Sequence, residues 1–523
     1  MDKELLRFVT ELHFETDKAK PHDWEADWED APLPYKLYRG VPAFDLAADF
    51  PLTLEDSPAG GQPAARSLGY FLGYAYGIAQ ISRSVPLSGE QAEIALGRRV
   101  VPSGGGLYPN ELYVYLKLPD LPRGVFHYDA AHHRLLLLRE GDFDDVLEQA
   151  LGERCDLSAC FGAVFVSAVF WKNFFKYYHF SYRLQGLDAG VLLGQLLESG
   201  KRFGYGAVVC YQYLDRVIGR LLGLNEGEES VYAVVLLTDS LGRKVRKSGS
   251  ETRRAGAEEL LRQLPELNHA HYVRSRRIRE YPMLLRMDAA SRIESAEAFR
   301  LREFNREDPG GFPLIRLPET SPRPCDLAVL ARRRYSPETD FVLKPIGLPS
   351  LAELLRQTLD DARYRNDLAR SDEETGPLAE LVFCAYGAEG LENGAYRYDG
   401  EAHALRLIRQ GDHRAWLQYA TTFPNVNLSQ VPLCFHVTGD REHGCPGFGP
   451  RGYRIQQMEA GMLLQRLLLR AAAAGWGGRP LLSYEAEAID DLYRLPARGD
   501  TALIQVPVGP YRYRARWEGG LFR

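Results

Sequence analysis

The feature that most constrains this chain is that much of it is written twice. The run Gly124–Asp129 (GVFHYD) leads to Leu135 and Arg139–Asp142 (REGD); Gly394–Asp399 (GAYRYD) leads in the same way to Leu405 and Arg409–Asp412 (RQGD), 270 positions on. Each copy predicts a strand, a turn at the aspartate and a second strand. Downstream, Tyr182-Arg183 and Asp188-Ala189-Gly190 match Tyr453-Arg454 and Glu459-Ala460-Gly461, and Gly204-Tyr205-Gly206 matches Gly475-Trp476-Gly477. Between these points Leu192, Leu193, Leu196 and Leu197, and likewise Leu463, Leu464, Leu467 and Leu468, have the spacing of a buried core helix. Upstream, Glu111–Tyr115 aligns with Glu380–Cys384. A chain that repeats itself folds as copies of one unit, and 523 residues exceed what a single core usually organises. The expected organisation is an N-terminal segment (1–60), a first domain (61–248), a charged helical connector (249–324) and a second domain (325–523).

The copies say most where they differ. The first holds Ser103-Gly104-Gly105-Gly106 directly before an alternating apolar strand, a bare loop whose backbone N–H groups can close on something flat or anionic. In the second copy this place falls on the acidic stretch 372–376. Conversely the second copy opens with Arg332-Arg333-Arg334-Tyr335-Ser336, where the first has only Ala65-Arg66-Ser67. Phe175-Lys176-Tyr177-Tyr178-His179 is replaced by Pro446-Gly447-Phe448-Gly449-Pro450. The halves have lost complementary parts.

Composition narrows the classes. With 64 basic and 70 acidic residues, the net charge of −6 argues against a general nucleic-acid surface and against an acidic tail. Seven cysteines without a CxxC pair indicate neither a zinc site nor a disulfide framework, and His13 and His22 have no partner at ligand spacing, so no metal is expected. The acidic start and the lack of an apolar run of about 18 residues predict a cytoplasmic chain without a membrane span. Periodicity over 65–82 predicts a helix.

The arginine-rich opening Arg332–Ser336, the Pro102–Gly105 loop, the Asp/Glu-Ala-Gly helices and the Gly-Tyr/Trp-Gly turns together resemble the nitroreductase superfamily. Within it, Pro102–Tyr113 (PSGGGLYPNELY) and the Lys176-Tyr177 pair resemble the azoline dehydrogenases, FMN enzymes that oxidise thiazolines and oxazolines in peptides of the streptolysin-S, microcin and cyanobactin types; Pro34–Gly40 is similar to the N-terminal flank of that group. The resemblance implies an α+β fold of two tandem nitroreductase-like α/β/α domains, each a mainly antiparallel sheet flanked by helices, forming an intramolecular pseudo-dimer. It implies FMN between them. Arg332, Arg333 or Arg334 with Ser336, helped by Arg512 and Arg514 of a terminal strand and reached by Arg98 or Arg99, would hold the phosphate. Ser103, Gly104 and Gly105 would approach the flavin or its ribityl chain, and Gly475, Trp476 and Gly477 would lie beside the ring.

Azoline oxidation removes a proton from the carbon next to nitrogen and a hydride from the neighbouring ring carbon, so the protein must supply a positioned base. Tyr177 serves if Lys176 lowers its pKa; Lys176 serves if it is desolvated. Tyr178 and His179 come next, and Tyr182, which recurs as Tyr453, reads as structural. The leading expectation is an azoline dehydrogenase or oxidase acting on a peptide or carrier-bound intermediate. O2 would be its electron acceptor and a cyclodehydratase or synthetase its partner, with no nucleic acid or membrane, as a monomer or weak homodimer. An NAD(P)H-dependent nitro or quinone reductase, which needs no Lys-Tyr pair, and a non-catalytic flavin-fold scaffold are the alternatives.

Overall fold

The computed structural model describes residues 2–55, 62–84, 94–247, 256–302, 311–321, 325–371, 373, 375–376, 378–423, 425–513 and 517–520. In chain order the strands are β1 (Ala43–Asp45), β2 (Ile78–Ser84), β3 (Ile94–Arg99), β4 (Asn110–Leu116), β5 (Gly124–Asp129), β6 (Arg134–Glu140), β7 (Gly162–Val169), β8 (Gly206–Cys210) and β9 (Glu229–Thr238). They continue as β10 (Leu314–Arg316), β11 (Arg365–Asn366), β12 (Glu380–Ala385), β13 (Gly394–Asp399), β14 (Ala404–Gln410), β15 (Leu433–Asp440), β16 (Gly477–Gly478), β17 (Asp500–Gly509) and β18 (Trp517–Gly520).

Two sheets share one strand order. The first runs β1-β6-β5-β4-β7-β9-β8 and the second β10-β14-β13-β12-β15-β17-β16, and within these seven strands every pairing is antiparallel; the first sheet has β11 as an eighth strand beyond β8. The repetition extends to irregularities: register shifts fall between Val125 and Phe126 and between Ala395 and Tyr396, and again between Val166 and Ser167 and between Val437 and Thr438. His133 and His403 both adopt positive φ, and the Nδ1 of each meets the hydroxyl of Tyr128 or Tyr398 at 2.9 Å. The edge strands β1 and β10 lie in the stretches read from sequence as N-terminal segment and connector.

Alternation along β4 shows the layering. Leu112, Val114 and Leu116 face one core, which also takes in Phe383 and Phe435 of the second sheet and both long central helices; Tyr113 and Tyr115 face an outer core with Val217, Ile218 and Leu221. Val382 and Cys384 repeat the outward arrangement against Ile489 and Leu492. The fold is therefore α+β, with two helix-flanked sheets joined through a common centre.

That centre is the crossing of helices Ser181–Arg202 and Pro450–Ala473. Contacts come in equivalent pairs, as in a two-fold interface. The rings of Tyr182 and Tyr453 stack at 5.9 Å. Arg183 donates to the Leu503 carbonyl of the second sheet at 2.7 Å, and Arg454 to the Val231 carbonyl of the first. Gly190 and Gly461 allow backbones to touch: a Cβ on Gly190 would lie 2.0 Å from the Met458 oxygen, and one on Gly461 2.2 Å from the Leu187 oxygen. Backbone cannot yield as a side chain can. Gly190→Ala is expected to destabilise the chain by about 3 kcal/mol, the upper end of overpacking costs, in urea-unfolding midpoints, while Gly219→Ala, with nothing within 4 Å of the added Cβ, is tolerated.

The halves also exchange edges. β11 from the second half pairs in parallel with β8 of the first sheet, and β18 pairs with β2, which with β3 forms a third, three-stranded sheet. The helix expected over 65–82 stops at Tyr76, and the chain turns at Gly77 into β2. Of the expected terminal strand 511–516, Tyr511 makes one bridge to Phe341; 514–516 lie outside the described residues. Among its described residues the connector holds two α-helices, of five and ten residues (Ala257–Leu261, Pro282–Ser291), and a short 3-10 turn at Ala296–Ala298. No helix among the described residues is long and apolar enough to cross a membrane.

Candidate active site

The glycine loop is anchored from below. Gly104–Gly106 make one tight turn in which Gly105 and Gly106 have φ of +65° and +70°, a region that favours glycine. Asp188, on the first central helix, accepts the Ser103 hydroxyl at 2.5 Å and the Gly104 N–H at 3.2 Å, and Ser103 Oγ in turn accepts the Tyr108 N–H at 2.9 Å. Glu459 is its counterpart in the second half, accepting the Leu378 N–H at 2.8 Å and the Tyr364 hydroxyl at 2.7 Å. Burial pushes the Asp188 carboxyl up to about 7, against the opposing pull of Ser103 and Gly104. Folding thus raises this pKa, so the stability it contributes is full below about pH 4 and is lost as pH rises through 7. Asp188→Asn, neutral throughout, is expected to gain on the unsubstituted chain between those values, by up to about 4 kcal/mol, in unfolding curves compared at each pH.

Onto this loop folds the end of helix Trp171–Tyr177. A Cβ on Gly105 would lie 2.5 Å from the Tyr177 hydroxyl and 2.9 Å from Lys176 Nζ, so the two polar tips already occupy the space a side chain would need. Burial, and then Lys20, lowers the Lys176 pKa; its ammonium lies 5.3 Å from the Trp28 ring centre and 5.0 Å from that of Tyr177. Burial followed by Asp188 pushes Tyr177 up to about 12, opposed by Arg479 of the second half. Of the two ways to make a base, activation of Tyr177 by Lys176 is not what this electrostatic setting favours; desolvation of Lys176 is.

The second half contributes the other wall. Arg334 follows helix Leu327–Arg333 and is only 6% exposed. Its Nε donates to the Val100 carbonyl and its Nη1 to Ser336 Oγ, both at 3.4 Å, and no carboxylate among the described residues pairs with it. Burial, then the nearby Arg98, pulls its pKa down to about 10. Val100 lies three residues before Ser103, which joins the two walls. Behind Ser336, Gly477 fits under Pro337 and Tyr511: a Cβ there would come within 2.3 Å of the proline ring. Arg479 continues the wall, its Nη1 donating to Glu338 at 3.1 Å.

Other expected residues are placed differently. Arg332 donates to the Leu52 carbonyl at 2.8 Å, Arg333 is exposed, and Arg512 is exposed with its backbone N–H on the Asp340 carbonyl. Arg514 lies outside the described residues. Alternation along β3 sends Arg98 toward Arg334 and Arg99 the other way, where its guanidinium sits 3.9 Å from the Tyr76 ring centre and donates to the Pro34 carbonyl. Trp476 is half-buried against the core, and Gly475 has open space around it. Asp188, Arg479 and Trp28 were not anticipated as site residues. Asp188 had a signal, the motif repeated at Glu459; Arg479 and Trp28 had none. No group of acidic, histidine or cysteine side chains among the described residues could hold a metal ion. A cavity of about 550 Å³ lies near the other end of the same short helix, lined by Trp171, Lys172, Tyr35, Glu229 and His271.

No family model matches the chain. A crystal structure from Anabaena variabilis described as a nitroreductase superposes along nearly the whole length, covering 97% of this chain and 99% of its own with a TM-score of 0.75 at 23% identity. A Ralstonia eutropha structure, also described as a nitroreductase, covers 41% of this chain and 99% of its own, with a TM-score of 0.30 and 19% identity. A Methanocaldococcus jannaschii protein named as a nitroreductase is 22% identical over 192 residues, 31% of this chain and 95% of its own. The chain thus has the nitroreductase-like fold.

Proposed function

We propose that this chain is an FMN-dependent dehydrogenase or oxidase that converts an azoline, a thiazoline or oxazoline, to the azole, or forms a related double bond, in a peptide or carrier-bound intermediate. The observation that carries the reading is a partly desolvated lysine seated on the glycine loop of one half, with a buried arginine of the other half, unpaired with any acid among the described residues, bonded to the Val100 carbonyl just ahead of that loop. A buried guanidinium beside a serine hydroxyl, with no carboxylate partner among the described residues, fits a phosphate monoester. When bound, FMN would supply the hydride acceptor. Lys176 would take the proton from the carbon next to the ring nitrogen, Tyr177, held as the phenol, would donate a hydrogen bond to the substrate, and the Trp28 ring would flank the Lys176 ammonium.

One site per chain is part of the proposal. Where Pro337 and Tyr511 back the Gly477 turn, the equivalent Gly206 turn meets Arg365, whose guanidinium donates to the carbonyls of Arg243 and Leu241. There Tyr364 bonds to both Glu459 and Tyr211, which supports the reading that protein side chains take up the mirror corner.

The name of the archaeal relative favours the alternative, an NAD(P)H-dependent nitro reductase. The test presents FMN-loaded protein and O2 with peptides carrying a thiazoline or oxazoline and follows loss of two hydrogens by mass spectrometry. Azole formation is expected; no azole, together with NAD(P)H-driven reduction of a nitroarene or quinone, would replace the reading by the alternative.

A further inference from the structure

Tyr178 stands in a backbone conformation that tyrosine rarely adopts, φ 51° and ψ −142°. The second copy holds the same conformation at the equivalent position, φ 60° and ψ −152°, but with a glycine, Gly449. Glycine carries no steric cost there, and an L side chain does. The first half keeps the ring regardless. That ring lies 4.7 Å from Trp24, 5.3 Å from Phe174 and 4.3 Å from His179 between centres. Trp24 belongs to the N-terminal segment and is itself tied down, its Nε1 donating to the Phe175 carbonyl at 3.1 Å. Immediately before the turn stand Lys176 and Tyr177, with their tips at Gly105.

We propose that Tyr178 is a positioning residue: its ring, gripped by Trp24, holds the strained turn that keeps Lys176 Nζ against the glycine loop. Where the second copy has no lysine to place, glycine makes the turn and no ring is needed. The hydroxyl of Tyr178 has no part in this, so Tyr178→Phe is equivalent to the natural residue. Tyr178→Gly keeps the turn but frees the helix end, and Lys176 relaxes toward water. The groups facing Lys176 are Lys20, which follows helix Thr16–Ala19, the Trp28 and Tyr177 rings and, through Tyr177, Asp188 and Arg479.

The inference rests on the proposed reaction only for its kinetic arm. The direct arm reductively methylates the lysines with ¹³C, assigns the Lys176 resonance as the one lost in Lys176→Arg, and titrates it. The expected result is a Lys176 pKa at least one unit higher in Tyr178→Gly and in Trp24→Ala than in the unsubstituted protein and Tyr178→Phe, at equal flavin content. In the kinetic arm the ascending limb of the pH–rate profile moves to higher pH with it, where a purely structural role would lower the rate at all pH values without moving the limb. An unmoved Lys176 resonance in folded Tyr178→Gly, or a shift of equal size in Tyr178→Phe, overturns the inference. Absence of azoline oxidation by the unsubstituted protein would overturn the reaction and leave the titration to decide the positioning.

Discussion

Lys176→Ala is expected to slow azoline oxidation by about 10²- to 10⁴-fold, the usual worth of a positioned general base, while bound FMN and unfolding temperature stay as they are. The physical reason is the ammonium's place: half-buried, beside the Trp28 and Tyr177 rings and away from any carboxylate partner among the described residues, it gives up its proton more readily than a surface lysine. The rate of the unsubstituted enzyme is expected to rise with pH through a pKa below the ordinary lysine value, because only neutral Lys176 accepts a proton. Tyr177→Phe should cost less, since Tyr177 remains a phenol up to about pH 12 and acts as a donor. Steady-state rates with saturating azoline peptide, set beside flavin absorbance, separate the two variants. Lys176→Ala at the full rate with FMN in place would remove the lysine from the chemistry.

Arg334→Met carries the second large effect, and its two consequences have opposite signs. A buried guanidinium without an acid raises the energy of the ligand-free fold, so the apolar replacement is expected to stabilise that form by about 1–3 kcal/mol. The same change removes charge-assisted bonds to the phosphate, worth about 1.5–3 kcal/mol, and FMN affinity falls about 10- to 100-fold. Thermal melts without FMN and fluorescence titration with it read the two effects separately. Arg333→Ala, at an exposed position one residue earlier, changes neither. A variant that loses stability and keeps FMN affinity would make Arg334 a structural residue.

The paired strands β5–β6 and β13–β14 and the two central helices were legible in the sequence because their apolar spacing and turn residues are local and recur. What escaped notice depends on partners far along the chain. Ala65–Ser82 has helical spacing throughout, yet residues after Gly77 form a strand, and β18, one of its two partners, lies more than 400 residues downstream. β11 is two residues long and exists only as an edge on the other half's sheet. At the site, the losses in one copy matched by retention in the other pointed to residues that the fold draws together: Ser103–Gly105 and Lys176-Tyr177 of one half, Arg334 and Ser336 of the other. Among neighbouring arginines the sequence offered no choice. Strand alternation decides between Arg98 and Arg99, and the turn after a short helix decides among Arg332, Arg333 and Arg334; neither is visible before the chain is folded.

The central claim is a single cofactor site assembled from unlike halves. Its most direct measurement is the saturating ratio of FMN to protein, from flavin absorbance after titration and removal of free ligand. A ratio of one FMN per chain is the predicted result. Two per chain would mean that the corner filled by Tyr364 and Arg365 opens to bind as well, and none would mean that Arg334 and Ser336 hold no flavin phosphate; either contradicts the account.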